Sequence, residues 1–324
     1  MELFKRYKNL RKKGLAIDGS IHVDDIPGVD NHKIGISDSG YPIFFISTND
    51  ENKSALPINL KLIQVQFQKN CELILKSGDK KNGTYSVVTL KNNSEELTKY
   101  FISNLLYILT ILGSTPTFNQ IKNELNNLAN LFQNLIKPPK STIQGLWAEL
   151  LIIEQSIDPS YLINCWHQKK SDLYDFNNGF DKLEVKSTSR SKRVHRFSLN
   201  QLQEVTNSLV IIGSVLTIET DKGVSAEYLI HKIQERLNNS EQISKLQIII
   251  SETMGSQIER IYDTFFDYSH ALSSIKFFNV KDVPKILNAL VPQEISNVKL
   301  DSDLTGVSTI PEELSNSDLL KALR

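Results

Sequence analysis

Asp175-Phe176-Asn177-Asn178-Gly179-Phe180-Asp181-Lys182-Leu183-Glu184-Val185-Lys186-Ser187-Thr188 is the stretch on which the reading of this 324-residue chain turns. Asn177-Asn178-Gly179 is a hairpin turn signal between two short strands, expected over residues 173–176 and 183–188. Strand side chains alternate, so Leu183, Val185 and Ser187 take one face while Glu184 and Lys186 take the other. Two charges thus project together from a strand otherwise fit for burial. Mg2+ takes hard oxygen ligands, usually one or two carboxylates with water and substrate phosphate. Asp175 and Glu184 can supply the carboxylates across the turn, and the Val185 carbonyl a third ligand. Lys186 then stands where an ammonium can orient an attacking water or offset charge developing on phosphorus. The chemistry expected is metal-assisted hydrolysis of a phosphodiester, with Mg2+ as cofactor and Mn2+ as its substitute.

The pattern alone is short, and [Asp/Glu]-x-Lys recurs as Glu51-Asn52-Lys53 and Asp79-Lys80-Lys81. Those copies fall in polar turns with no Asp at comparable upstream spacing, and the competing reading of any copy is a strand whose charges face solvent. Order sets the third copy apart. A helix is expected from Thr142, opened by the capping box Ser141-x-x-Gln144. Its apolar stripe is Ile143, Leu146, Trp147 and Leu150, and Glu149 falls on the flank of that stripe, at the edge of the buried face. Downstream, Ser208 to Glu219 is a near-continuous apolar run of the kind buried on both sheet faces, expected as the central strand.

Apolar residues make up 40% and charged residues 23% of the chain, the balance of a soluble globular protein. Lys plus Arg and Asp plus Glu are equal at 37 each, so any pull toward nucleic acid must come from local clustering. Cys71 and Cys165 show no metal-ligand spacing and suggest no disulfide framework. No signal-peptide h-region opens the sequence, and no apolar run approaches the roughly 20 residues of a membrane span. A cytoplasmic protein is expected.

Residues 1–92 read as a small β-rich domain. Its strands are Lys33 to Ser37, Pro42 to Ser47, Asn59 to Phe67, Glu72 to Lys76 and Tyr85 to Leu90, with turns at Asp38-Ser39-Gly40 and Asn82-Gly83. Residues 93–140 form a helical connector: Ser94 to Leu112, closed by Gly113, then a second helix carrying Phe118, Ile121, Leu125, Leu128, Phe132 and Leu135. Lys137-Pro138-Pro139-Lys140 breaks the pattern. Residues 141–240 alternate helix and strand as an α/β core, and 241–324 form a C-terminal extension packed on it. Leu246 to Ile250 and Ile275 to Val280 are its apolar segments, Ser256 to Phe265 and Ser317 to Leu323 its helical ones.

The run Gln144-Gly145-Leu146-Trp147-Ala148-Glu149-Leu150, then Trp166, Asp175-Phe176 through Gly179, Glu184-Val185-Lys186-Ser187-Thr188 and His195-x-Phe197-Ser198-x-x-Gln201-Leu202 resembles a bacterial family of unknown function. That family is classed among the PD-(D/E)XK nucleases and is met beside restriction and phage-defence genes. The motif-bearing part covers about residues 140 to 220. The resemblance implies a restriction-endonuclease-like mixed sheet flanked by helices, α/β within an overall α+β chain. Asp175, Glu184 and Lys186 take the signature roles, and Glu149 the acidic position on the preceding helix. Tyr174 stands where the family signature has Pro, which leaves Asp172 as a rival to Asp175 for the first carboxylate.

Residues 182–196 hold six Lys/Arg against one Glu. Arg190, Lys192, Arg193, His195 and Arg196 are the candidate phosphate contacts, with a solvated basic loop as the plainer reading. Gln201 reads equally as a site residue or as the return half of a second capping box, Ser198-x-x-Gln201. Trp147 and Trp166 read as core. The activity expected is a DNA endonuclease acting as a homodimer or within a defence complex. The alternative is a nuclease-like subunit that holds nucleic acid without cutting it.

Overall fold

The computed structural model describes residues 2–13, 20–50, 53–168, 172–311 and 317–323. The protein is a mixed α/β chain that divides into two compact units, Met1–Pro138 with Gly255–Glu259, and Pro139–Met254 with Arg260–Arg324.

The first unit opens with a helix, α1 (Glu2–Lys13), where the sequence suggested only strands. Leu3, Phe4, Tyr7 and Leu10 give it one buried face at helical spacing. There follow β1 (Ile21–Ile26), β2 (Val29–Ile36), β3 (Pro42–Ile46), β4 (Ile58–Asn59), β5 (Ile63–Ile74) and β6 (Lys80–Leu90), then α2 (Glu95–Leu112) and α3 (Phe118–Asn134). The sheet order is β1-β2-β3-β6-β5-β4, and a parallel pairing of Ile21 and His22 with Leu73 and Ile74 returns β1 to β5. Five strands therefore close into a ring. Val23, Phe45, Leu73, Tyr85 and Val87 fill one core, while Phe44 on the alternate face packs edge-on to Phe101 of α2, which meets Phe132 of α3.

Two strand expectations need correction. Asn59 to Phe67 and Glu72 to Lys76 belong to the single strand β5, bent by a register shift between Gln66 and Lys69. The turn lies at Gly78, whose φ of +94° suits glycine, rather than at Asn82-Gly83, which sit inside β6. Of the other two [Asp/Glu]-x-Lys copies, Asp79-Lys80-Lys81 straddles that turn and the start of β6. Glu51 and Asn52 of the other lie outside the described residues. Ser94 caps α2 and Gly113 ends it, and Thr117 caps α3.

The second unit runs α4 (Ile143–Gln155), α5 (Pro159–Cys165), β7 (Phe176–Asn177), β8 (Lys182–Thr188), β9 (Val194–Ser198), β10 (Val210–Leu216), β11 (Glu219–Ser225), α6 (Ala226–Arg236), α7 (Ser240–Met254), α8 (Arg260–Asp263), β12 (Phe265–Phe266), α9 (Tyr268–Ser274), β13 (Lys276–Asn279), β14 (Lys299–Asp303) and α10 (Asp318–Leu323). Its main sheet has the order β13-β10-β8-β7, mixed in direction, with β10 parallel to β8 and antiparallel to β13. The apolar run Val210–Val215 is buried throughout because strands flank it on both sides. Ser187 faces α4, where Gln144 Nε2 donates to its hydroxyl at 3.3 Å. Lys186, on the opposite face, lies 5.5 Å from the Phe197 ring of β9, which pairs with β14 as a separate ribbon.

Three boundaries differ from expectation in this unit. The cap of α4 is Thr142, accepting from Gly145 N–H at 3.1 Å, not Ser141, which frees Gln144 for Ser187. Leu246 to Ile250 lies within helix α7, because its apolar residues form one stripe of a longer helix. Ser256 to Phe265 is not one helix but a single turn, α8 and the start of β12. Among the described residues, no helix is long and apolar enough to cross a membrane.

Candidate active site

β7 is short because its continuation is made by a side chain. Phe176 pairs with Leu183, so Asp175 comes opposite Glu184, and the Asp175 carboxylate accepts the Val185 N–H at 2.8 Å. The Asp175 carbonyl in turn accepts the His167 N–H at 2.8 Å. Asp175 is thereby fixed at both ends. Glu184, 3% exposed, lies in the core of the sheet; its Oε1 takes the Lys186 ammonium and the Gln201 amide, the latter at 2.6 Å. Gln201 also donates to the Leu173 carbonyl, and its Oε1 accepts the Ser198 N–H at 3.0 Å. The two readings of Gln201 are thus both present in one side chain: the cap return orients the amide that holds Glu184.

Glu149 is buried on α4, and its Oε2 accepts the Trp166 indole N–H at 2.7 Å. Trp166 is core, as its burial shows, but its polar edge holds an acid. His167, which sequence reasoning missed, places Nε2 3.1 Å from Glu149 Oε2 and 3.9 Å from Asp175 Oδ1. One ligand atom from each of Glu149, His167 and Asp175 lies within 4.8 Å of the others. Its φ of +40° is a strained backbone for a residue with a β-carbon, of order 1–3 kcal/mol. No periodicity points to this residue, since it follows α5 in irregular chain; the only cue is its place beside Trp166.

The charges are unbalanced. Burial, then the neighbouring Glu149 and Glu184, hold Asp175 well above the ordinary carboxylate range. Burial also raises Glu184, against the pull of Lys186. Burial opposes the charge on Lys186, but Glu184 outweighs it and keeps the ammonium above its usual pKa. For His167 burial likewise opposes the charged form, and the bond to Glu149 outweighs it, so its pKa is raised. Glu184 Oε2 is buried with no partner among the described residues. Carboxylates crowded until protonation becomes easier, one with an orphaned oxygen, form a donor set that a divalent cation fits. Glu149, His167, Asp172 and Asp175, with Lys140 and Glu252, line a cavity of about 300 Å³.

The basic segment divides. Arg190 and Lys192 are exposed, and Arg196 is exposed in an ion pair with Asp301. Arg193 and His195, by contrast, are buried, which corrects their reading as surface phosphate contacts. Arg193 donates to the Ser214 carbonyl and hydroxyl at 2.9 and 2.8 Å and to the Ser274 carbonyl. The Ser214 hydroxyl lies 2.8 Å from His195 Nε2. Burial, with Lys186 and Arg193 nearby, pushes His195 down to about 4, so it is neutral and accepts the hydroxyl proton.

Comparison with curated proteins finds no match, and comparison with solved structures finds none. A family model does match, over residues 5–305, and its description is "Putative PD-(D/E)XK family member" (DUF4420). With Asp175, Glu184 and Lys186 drawn together as that signature requires, the chain belongs to this family.

Proposed function

We propose that the protein is a metal-dependent DNA endonuclease of a restriction or phage-defence system, acting in the cytoplasm as a homodimer or with partner proteins. The observation that carries the reading is the convergence of Asp175, Glu184 and Lys186 with Glu149 at one end of the β7–β8 hairpin, beside an open cavity. Asp175 and Glu184, with the Val185 carbonyl, would hold Mg2+ or Mn2+, and Glu149 would complete the carboxylate set. When bound, the cation supplies charge for the phosphoryl oxygens and a water of lowered pKa. Lys186 holds its ammonium charged beside Glu184, where it can orient that water or meet charge developing on the phosphate. Gln201 keeps Glu184 in its rotamer through two bonds besides. Arg190 and Lys192, exposed just beyond β8, are suited to the phosphate backbone of a DNA strand.

The test is digestion of supercoiled and linear DNA with Mg2+, with Mn2+ and with a chelator. Cleavage that requires metal and is lost in Asp175→Ala, Glu184→Ala and Lys186→Ala supports the reading. Asp172→Ala is the internal control, and loss there but not in Asp175→Ala would move the first carboxylate to Asp172. If the wild-type protein cuts no nucleic acid with either metal, alone or with its genomic neighbours, it is a holding subunit and not an endonuclease.

A further inference from the structure

We propose that His167 is a nitrogen ligand of the cation in this centre, so that the site prefers a first-row transition ion such as Mn2+ to Mg2+. The proposal rests on the metal-dependent reading above and goes beyond it in naming the ligand and the selectivity. The oxygen-only set Asp175, Glu184 and Val185 would suit Mg2+, but it is not the set that faces open space. The cavity of about 300 Å³ is lined by Glu149, His167 and Asp175, and neither Glu184 nor Lys186 lines it. A cation entering from solvent therefore meets the imidazole together with two carboxylates.

The geometry suits a shared ion. Ligand atoms about 2.1 Å from an octahedral centre stand about 3.0 Å apart when adjacent and about 4.2 Å apart when opposite. His167 Nε2 is 3.1 Å from Glu149 Oε2 and 3.9 Å from Asp175 Oδ1, within that range before any adjustment. Both acids are held from behind, Glu149 by the Trp166 indole and Asp175 by the Val185 N–H, so their positions do not depend on His167. His167 is held as well, by its own N–H on the Asp175 carbonyl, in a backbone conformation of positive φ that turns the chain at that point. Mg2+ favours carboxylate, carbonyl and water, whereas imidazole favours first-row transition ions. If His167 were only a counter-ion to Glu149, it would not distinguish one divalent cation from another.

The experiment titrates the full-length metal-free protein with Mn2+ and, separately, with Mg2+ by calorimetry, and records pulsed electron paramagnetic resonance of the Mn2+-loaded protein. Wild type should bind Mn2+ at least about tenfold more tightly than Mg2+ and show coupling to a directly bound nitrogen. His167→Gln should weaken Mn2+ by about tenfold or more, leave Mg2+ within about twofold and remove the nitrogen signal. His167→Asn, checked by thermal melting, serves if the first variant is misfolded. Absence of nitrogen coupling in wild type, or an unchanged Mn2+ to Mg2+ ratio in both variants, overturns the proposal. The readout is independent of cleavage: nitrogen-ligated Mn2+ on a protein that cuts nothing sinks the endonuclease alone. Cleavage with nitrogen-free Mn2+ sinks this ligand alone.

Discussion

Two polar clusters are buried in the second unit, on the neighbouring strands β8 and β10, and they have opposite economies of charge. Around Ser214 the groups answer one another: Arg193 donates to two carbonyls and the hydroxyl, and the hydroxyl proton is available to a neutral His195. Around Asp175 and Glu184 they do not, for three acids share one ammonium and one imidazole, and a buried carboxylate oxygen has no partner among the described residues. A satisfied network is what stability selects, since an unpaired buried polar group costs about 1–3 kcal/mol. An unsatisfied one survives when something else completes it. Basic residues near a site are therefore poor guides to what touches the substrate until their partners are known.

The comparison is broken most decisively by activity. Asp175→Ala, Glu184→Ala and Lys186→Ala should each lower metal-dependent cleavage on the order of 10³-fold or more, and the triple variant should be hardly worse than any single one, because the residues act as a unit. Multiplying losses in a plasmid-nicking assay would show that they do not.

Stability should respond the other way. In urea unfolding without metal, Arg193→Ala should cost roughly 2–4 kcal/mol through the stranded Ser214 and Ser274 carbonyls. Asp175→Asn should be neutral or stabilising, since it relieves crowded charge. A loss in Asp175→Asn as large as that in Arg193→Ala would mean that both clusters are structural. Added Mn2+ at about 100 times its dissociation constant should then stabilise wild type by about 2.7 kcal/mol and leave the Asp175→Ala, Glu184→Ala double variant unmoved.

Acid sharpens the contrast further. Unfolded, His195 takes a proton as pH falls through its ordinary 6.5; folded, it takes one only near 4. Between these values the unfolded chain binds more protons, so this residue removes stability as pH falls, up to about 3 kcal/mol. Asp175 and Glu184, with raised pKa, act oppositely and gain stability on protonation. Unfolding free energies from pH 7 to 4 should decline less in His195→Asn than in wild type; parallel curves would show that the imidazole is not kept neutral. The smallest effect is expected from the exposed pair: replacing Arg190 and Lys192 by Ala should lower the salt slope of DNA binding by about 2 without changing sequence preference. An unchanged slope would leave both as solvated.

Strand alternation in 183–188 and the buried run around Val210 were legible in the sequence, since period and apolar content are local properties. Asp175 and Glu184 were legible for the same reason, being separated by one short turn. His167 was not, because its place depends on a bridge between Trp166 and Phe176 and on a carbonyl eight residues onward, neither of which leaves a pattern. Arg193 and His195 were misread because burial of a charged segment is decided by β14, about a hundred residues later, pairing Asp303 to Val194 and Ser302 to His195. Helix α1 was missed because its four buried residues are spread through a run otherwise dense in Lys and Arg.

The closed ring of the first unit has a consequence for how the chain is made. A strand with an open edge offers unpaired N–H and C=O groups to any other extended chain, and closure removes that template. The closing contact is parallel and joins Ile21 and His22 to Leu73 and Ile74, so the ring cannot shut until the ribosome has released the whole of β5. Until then β1 waits as half of a hairpin with its outer edge bare, and such non-local pairing is slow to form. A chain shortened by its first 26 residues would keep that vulnerability permanently, with β2 and the end of β5 exposed, and should collect in the insoluble fraction even though every residue of the proposed active site is intact.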